Sequence, residues 1–185
     1  RAAQKNIFAI GFGKTGVAAK SFYVFQDNKT PLIIPCATGT QRTAKYPASG
    51  SYIFRVSAKD AIQANFVVND IVKRGWTRVA VFADSTAYGE SGLKDVTAAL
   101  ASHQLSPVYV ARFPIGVKDV MAELKAARDA GANAVFSYRL GPERGAIAKG
   151  RKRPGWKGPQ GGARSLRLPG YLEGAQGRAG DTAGD

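Results

Sequence analysis

Residues 57–82 read SAKDAIQANFVVNDIVKRGWTRVAVF, and this run decides the fold. Between Asp60 and Arg74, the residues Ala61, Ala64, Val68, Ile71 and Val72 fall near one stripe of a 3.6-residue helix. Ser57, three residues before Asp60, makes a capping-box-like start, and Gly75 is a natural C′ stop. The apolar strand Val79–Phe82 follows. The same cycle returns downstream. A helix is predicted from about Asp119 to Ala130, with Val120, Leu124, Ala127 and Arg128 marking its turns. Gly131 ends it, and the apolar run Ala134–Phe136 comes next. Strands this apolar, separated by helices, argue for a parallel sheet covered on both faces. The fold class is α/β, with parallel sheets flanked by helices.

Outward from this core the pattern extends over residues 6–138. Further short apolar runs lie at Ile7–Ile10, Leu32–Ile34, Tyr52–Phe54 and Val108–Phe113. Residues 144–185 are a different material. They hold 11 of the 22 glycines, with Pro154, Pro159 and Pro169 interspersed, and few hydrophobic residues. A helix reaches about Ala148, and beyond it the composition predicts loop or poor order.

The 185 residues include 27 Lys and Arg against 13 Asp and Glu, a formal net charge of +14. That excess raises the question of nucleic acid or another anionic partner. Its distribution answers against nucleic acid. From Arg139 onward there are 10 basic and 4 acidic residues, a net of +6, which leaves +8 for residues 1–138. The dense cluster is Lys149, Arg151, Lys152, Arg153 and Lys157, beside Trp156. It sits in the glycine-rich tail, and no helix-turn-helix, RRM or KH signature accompanies it. A basic nucleic-acid-binding module stays as an alternative, with salt-sensitive retention on DNA as its discriminator. One cysteine, Cys36, and one histidine, His103, exclude a disulfide framework and a Cys/His zinc cluster. No apolar run approaches the roughly 18 residues of a membrane span. The chain opens at Arg1 with neither initiator Met nor signal peptide, which reads as a processed chain or a fragment.

Three loops follow strands and could carry a site. Gly11-Phe-Gly13-Lys-Thr-Gly16 matches G-x-G-x-x-G after a strand and before a helix. The next strand ends in Pro35-Cys36-Ala37, with no acidic residue for a ribose, and Phe8 stands where a Walker motif needs glycine. A nucleotide-dependent enzyme using Gly11–Gly16 is therefore an alternative reading only. What remains is a helix N-terminus carrying the Thr15 hydroxyl, suited to an anion. Cys36-Ala37-Thr38-Gly39-Thr40 follows Leu32–Ile34 and adds hydroxyls and backbone N–H groups. Ligands of open α/β sheets bind outside the carboxyl ends of strands, where Thr15 and Thr38 would be neighbours. Ordinary Ser/Thr-rich turns would look the same. Asp84-Ser-Thr-Ala-Tyr88-Gly89 follows Val79–Phe82 in the equivalent position, where a tyrosine ring can cover a ligand and its OH donate. Catalysis has little support: Cys36 and His103 lie in different αβ units, no carboxylate pair suggests a hydrolase, and no metal-ligand spacing occurs.

Taken together, several segments resemble one family. These are Pro31–Thr38, Tyr52–Arg55, Gly75–Gly89, Phe113–Asp119, 130–135, 146–152 and Gly155–Gln160. The sequence is similar to the periplasmic substrate-binding proteins of branched-chain amino acid type ABC transporters, the Leu/Ile/Val-binding protein family. The resemblance implies two α/β lobes joined by crossovers, with the ligand clamped in the cleft. Residues 1–56 would be part of the first lobe and 57–185 most of the second, with a hinge near Arg55–Ser57. It implies a ligand carboxylate held by Thr15 and by the loop Cys36, Ala37 and Thr38, with Tyr88 as a lid. The family's aromatic contact falls near Leu140 or Gly141, and its acidic residue for an α-amino group falls near Arg164. Neither residue type matches, which favours a small carboxylate-bearing ligand, amino acid or aromatic or keto acid, without a firm ammonium site. The resemblance further implies a periplasmic location, the membrane subunits of an ABC importer as partners, no cofactor and no catalysis.

Overall fold

A computed structural model describes residues 7–40, 45–46, 48–117, 119–138, 147, 160–162 and 182–183. The chain forms two compact units, Arg1–Asp60 and Ala61–Asp185.

Among the described residues the first unit carries three strands, β1 (Ala9–Ile10), β2 (Leu32–Ile34) and β3 (Ile53–Arg55), in the order β1-β2-β3 and all parallel. Helix α1 (Thr15–Asp27) follows β1. Its Ala18 and Phe22, four residues apart, share a face and pack with Leu32, Ile34, Ala37 and Ile53. Parallel pairing puts the carboxyl ends of all three strands on one edge. The loops at residues 11–14 and 35–39 leave from that edge.

Among the described residues of the second unit five strands run parallel in the order β5-β4-β6-β7-β8. They are β4 (Val79–Asp84), β5 (Tyr109–Phe113), β6 (Ala134–Tyr138), β7 (Gln160–Gly162) and β8 (Thr182–Ala183). All six residues of β4 are buried, which a central strand covered on both faces requires. Val79, Val81 and Ala83 meet helices α2 (Asp60–Lys73) and α3 (Ala87–Ala101) on one face. Ala80 and Phe82 turn to the other face, against Leu124 and Ala127 of α4 (Met121–Asp129).

Gly75 and Gly131 end their helices as expected, at φ +79° and +77°. Each forms the paired 5→2 and 6→1 bonds of a Schellman stop. Gly75 N–H donates to Val72 and Trp76 N–H to Ile71, and likewise Gly131 to Arg128 and Ala132 to Ala127.

Three expectations change. Helix α4 spans Met121–Asp129 rather than Asp119–Ala130, because the Asp119 carboxylate accepts from Met121 N–H at 2.9 Å, ahead of the first turn. Arg128 does not mark the buried face; it is exposed, 3.7 Å from Asp129. Loop beyond Ala148 gives way at two places, β7 and β8. Parallel pairing uses backbone groups, so Gln160-Gly-Gly can extend the sheet without any strand-like side-chain pattern. Leu140, Gly141, Arg164 and the basic cluster Lys149–Lys157 lie outside the described residues.

Candidate functional site

The carboxyl edge of the first sheet brings together Thr15, Ala37 and Thr38. Thr15 opens α1 and is buried. It lies so close to the neighbouring loop that a Cβ on Gly39 would overlap its methyl group. Ala37 N–H donates to Phe12 C=O at 3.2 Å, which ties the loop after β2 to the loop after β1. Cys36 is exposed on the same loop.

What orients this loop is a set of donors from residues 55–60. Ser57 Oγ donates to the carbonyl of Ala37 at 3.3 Å. Arg55 Nη1 donates to the carbonyls of Thr38 at 3.1 Å and Gly39 at 3.0 Å. Asp60 N–H also donates to Thr38 C=O, at 3.0 Å. Three consecutive carbonyls are thus turned toward one side. In a trans peptide the N–H points opposite its C=O, so the N–H groups of Thr38, Gly39 and Thr40 are turned to the other side. Successive N–H groups presented together form an anion-binding concavity.

The electrostatics agree with an anion. The N-terminus of α1 carries partial positive charge, its N-cap Lys14 makes no side-chain cap, and no acidic residue occupies its first turn. A Cβ built on Gly11 or Gly13 would meet no heavy atom within 4 Å, so the edge is open above the helix start.

The equivalent edge of the second sheet is built differently. Asp84 ends β4, almost wholly buried. Its Oδ1 accepts from Thr86 N–H at 3.0 Å and from the Thr86 hydroxyl. That hydroxyl in turn accepts from Tyr88 N–H at 3.2 Å and Gly89 N–H at 3.4 Å, capping α3. Gly89 is packed so tightly on Asp84 that a Cβ there would overlap the Asp84 carbonyl oxygen. Tyr88 is only 7% exposed. Its ring meets Tyr138 edge-on at 5.5 Å, and Tyr138 stacks on Phe136 at 5.4 Å. His103 sits just past the end of α3, exposed, with Nε2 2.6 Å from Asn69 Oδ1. Among the described residues no group of three or more His, Cys, Asp and Glu could hold a metal.

A chain with two parallel α/β units of this kind has relatives. A family profile of periplasmic binding proteins matches residues 2–183. The chain belongs to the periplasmic binding protein family. Leu/Ile/Val-binding protein homolog 3 of Brucella melitensis is 30% identical over 144 residues, which cover 77% of this chain and 38% of that protein. A type 1 periplasmic binding protein from Bordetella pertussis superposes with a TM-score of 0.82 at 21% identity, over 95% of this chain and 48% of that one. A solute-binding protein of an ABC transporter from R. palustris, solved with 4-hydroxybenzoate, gives 0.77 at 19% identity, over 92% and 47%. The chain therefore spans about half the length of these structures or less.

In this periplasmic binding protein the donors that Arg55, Ser57 and Asp60 give to the loop after β2 were not read from the sequence. The signal available was a basic residue at the carboxyl end of an apolar strand, beside loops whose carbonyls converge there. No helix of the described residues is long and apolar enough to cross a membrane.

Proposed function

We propose that this chain captures a small carboxylate-bearing solute for an ABC importer, without chemistry, in the periplasm. The observation that carries the reading is the loop 37–39, whose three carbonyls are held back by Arg55, Ser57 and Asp60 so that its N–H groups face the other way. Carboxylate oxygens take backbone and hydroxyl donors well, and Thr15 and Thr38 add hydroxyls at the same edge. Tyr88 heads the equivalent loop of the second sheet. The membrane subunits of the importer are the protein partners in this reading, and no cofactor is involved.

The solute is an acid that does not depend on an ammonium group, such as an aromatic or keto acid. The relatives' own names span both possibilities, a Leu/Ile/Val-binding homologue and a 4-hydroxybenzoate complex. Calorimetric titration of the full chain with leucine, valine, 4-hydroxybenzoate and a branched-chain keto acid separates them. Heat from the keto acid or the benzoate supports the reading. Tight binding of leucine or valine with none of the others overturns the choice of solute, and no heat from any overturns capture by this chain.

A further inference from the structure

We infer that Arg55 is the positioning residue of the carboxylate loop, a role that rests on the reading of residues 37–40 as that loop. Arg55 closes β3, and its backbone belongs to the same sheet that carries the loop's own strand, β2. From there Nη1 reaches two successive carbonyls, Thr38 and Gly39, at 3.1 and 3.0 Å. A planar guanidinium presents its N–H groups in a fixed fork, so it holds both peptide planes in one orientation at once. The two peptides are those whose N–H groups belong to Gly39 and Thr40. Arg55 thereby sets the orientation of both peptides without touching the solute itself.

The side chain also leaves its positive charge behind these peptides. Its charge polarises each C=O and with it the N–H on the opposite end, which strengthens that N–H as a donor. Ser57 and the Asp60 N–H hold Ala37 and Thr38 in the same sense, as uncharged donors. Arg55 thus holds the Gly39 carbonyl with a charged donor. A lysine at this position has a compact ammonium on a flexible stem and gives up the fork.

The test uses the full chain labelled with ¹⁵N, as wild type, Arg55→Lys and Arg55→Met. Amide shifts and hydrogen-exchange rates of Thr38, Gly39 and Thr40 are read first. 4-Hydroxybenzoate and the keto acid are then titrated. In Arg55→Met the Gly39 and Thr40 amides shift and exchange faster while the β4 and β6 amides stay in place. Binding of whichever acid the wild type takes weakens about tenfold or more, the scale of a lost charge-assisted hydrogen bond. Arg55→Lys recovers part of both effects. Unchanged Gly39 and Thr40 amides in a folded Arg55→Met variant overturn the proposal. Moved amides in a chain whose wild type binds neither acid uphold the positioning role and instead remove the solute reading. Should Arg55→Met not fold, the wild-type guanidinium decides: slowly exchanging Nη protons uphold the bonds to Thr38 and Gly39, and rapidly exchanging ones overturn them.

Discussion

At the scale of single residues, the first sheet's edge depends on one close approach. Gly39 lacks a side chain where Thr15 presents its methyl, and any Cβ must displace it. Gly39→Ala is therefore expected to destabilise the chain by about 1–3 kcal/mol, the usual range for overpacking. Thr15→Ser removes the methyl that the new Cβ would strike and keeps the hydroxyl. The double variant Thr15→Ser/Gly39→Ala should be more stable than Gly39→Ala alone, a coupling that urea denaturation of the four proteins measures. Additive losses would mean the contact is not the constraint. Thr15 and Thr38 were legible as a pair because both follow apolar strands of one parallel sheet. The contact of Arg55 with Thr38 and Gly39 was not, since it joins residues 17 and 16 positions apart and leaves no periodic trace.

At the scale of elements, the strands and helices were legible because burial leaves a period. The run Val79–Phe82 is apolar throughout because β4 is covered on both faces, and the strand continues to Asp84 only through hydrogen bonding that hydropathy does not record. The packing of α3 on β6 shows the limit of propensity. Gly92 lies inside the helix, where alanine would be favoured by about 1 kcal/mol on intrinsic grounds. Yet a Cβ at Gly92 would fall within the Tyr138 ring, which is fully buried and backed by Phe136. The clash exceeds the propensity gain, because a buried ring with no free volume cannot move aside. Gly92→Ala is expected to lower stability by about 1–2 kcal/mol net and to alter the near-ultraviolet circular dichroism of the tyrosines. A variant as stable as wild type would show that Tyr138 can relocate. Tyr88 rests on the same ring, so its placement at the head of α3 follows from Gly92 as much as from the Thr86 cap.

At the scale of the whole chain, the two units differ in how completely their sheets are covered. The second has apolar clusters on both faces, one with α2 and α3 and one with α4. Among the described residues the first has a single cluster, on the α1 side. Its other face carries Ile10, Ile33 and Phe54 as neighbours across three strands in register. Ile10 is 67% exposed and Phe54 50% exposed. The sequence made these residues look like core, since parallel strands ordinarily are buried on both sides and apolarity cannot say whether a cover is present. An exposed apolar row on a folded protein binds amphipathic dyes. The native chain should enhance anilinonaphthalene sulfonate fluorescence, and Phe54→Ser or Ile10→Ser should reduce it. The substitutions should change stability by only about 0.5 kcal/mol, because little buried area is lost at half-exposed positions. The contrast between units also predicts their order of opening. With one covered face, the β2 amides of Leu32 and Ile33 should exchange with solvent faster than those of Val81 and Phe82 in β4. Equal dye binding in the serine variants, or slower exchange in β2 than in β4, would show that the first sheet's second face is covered in solution.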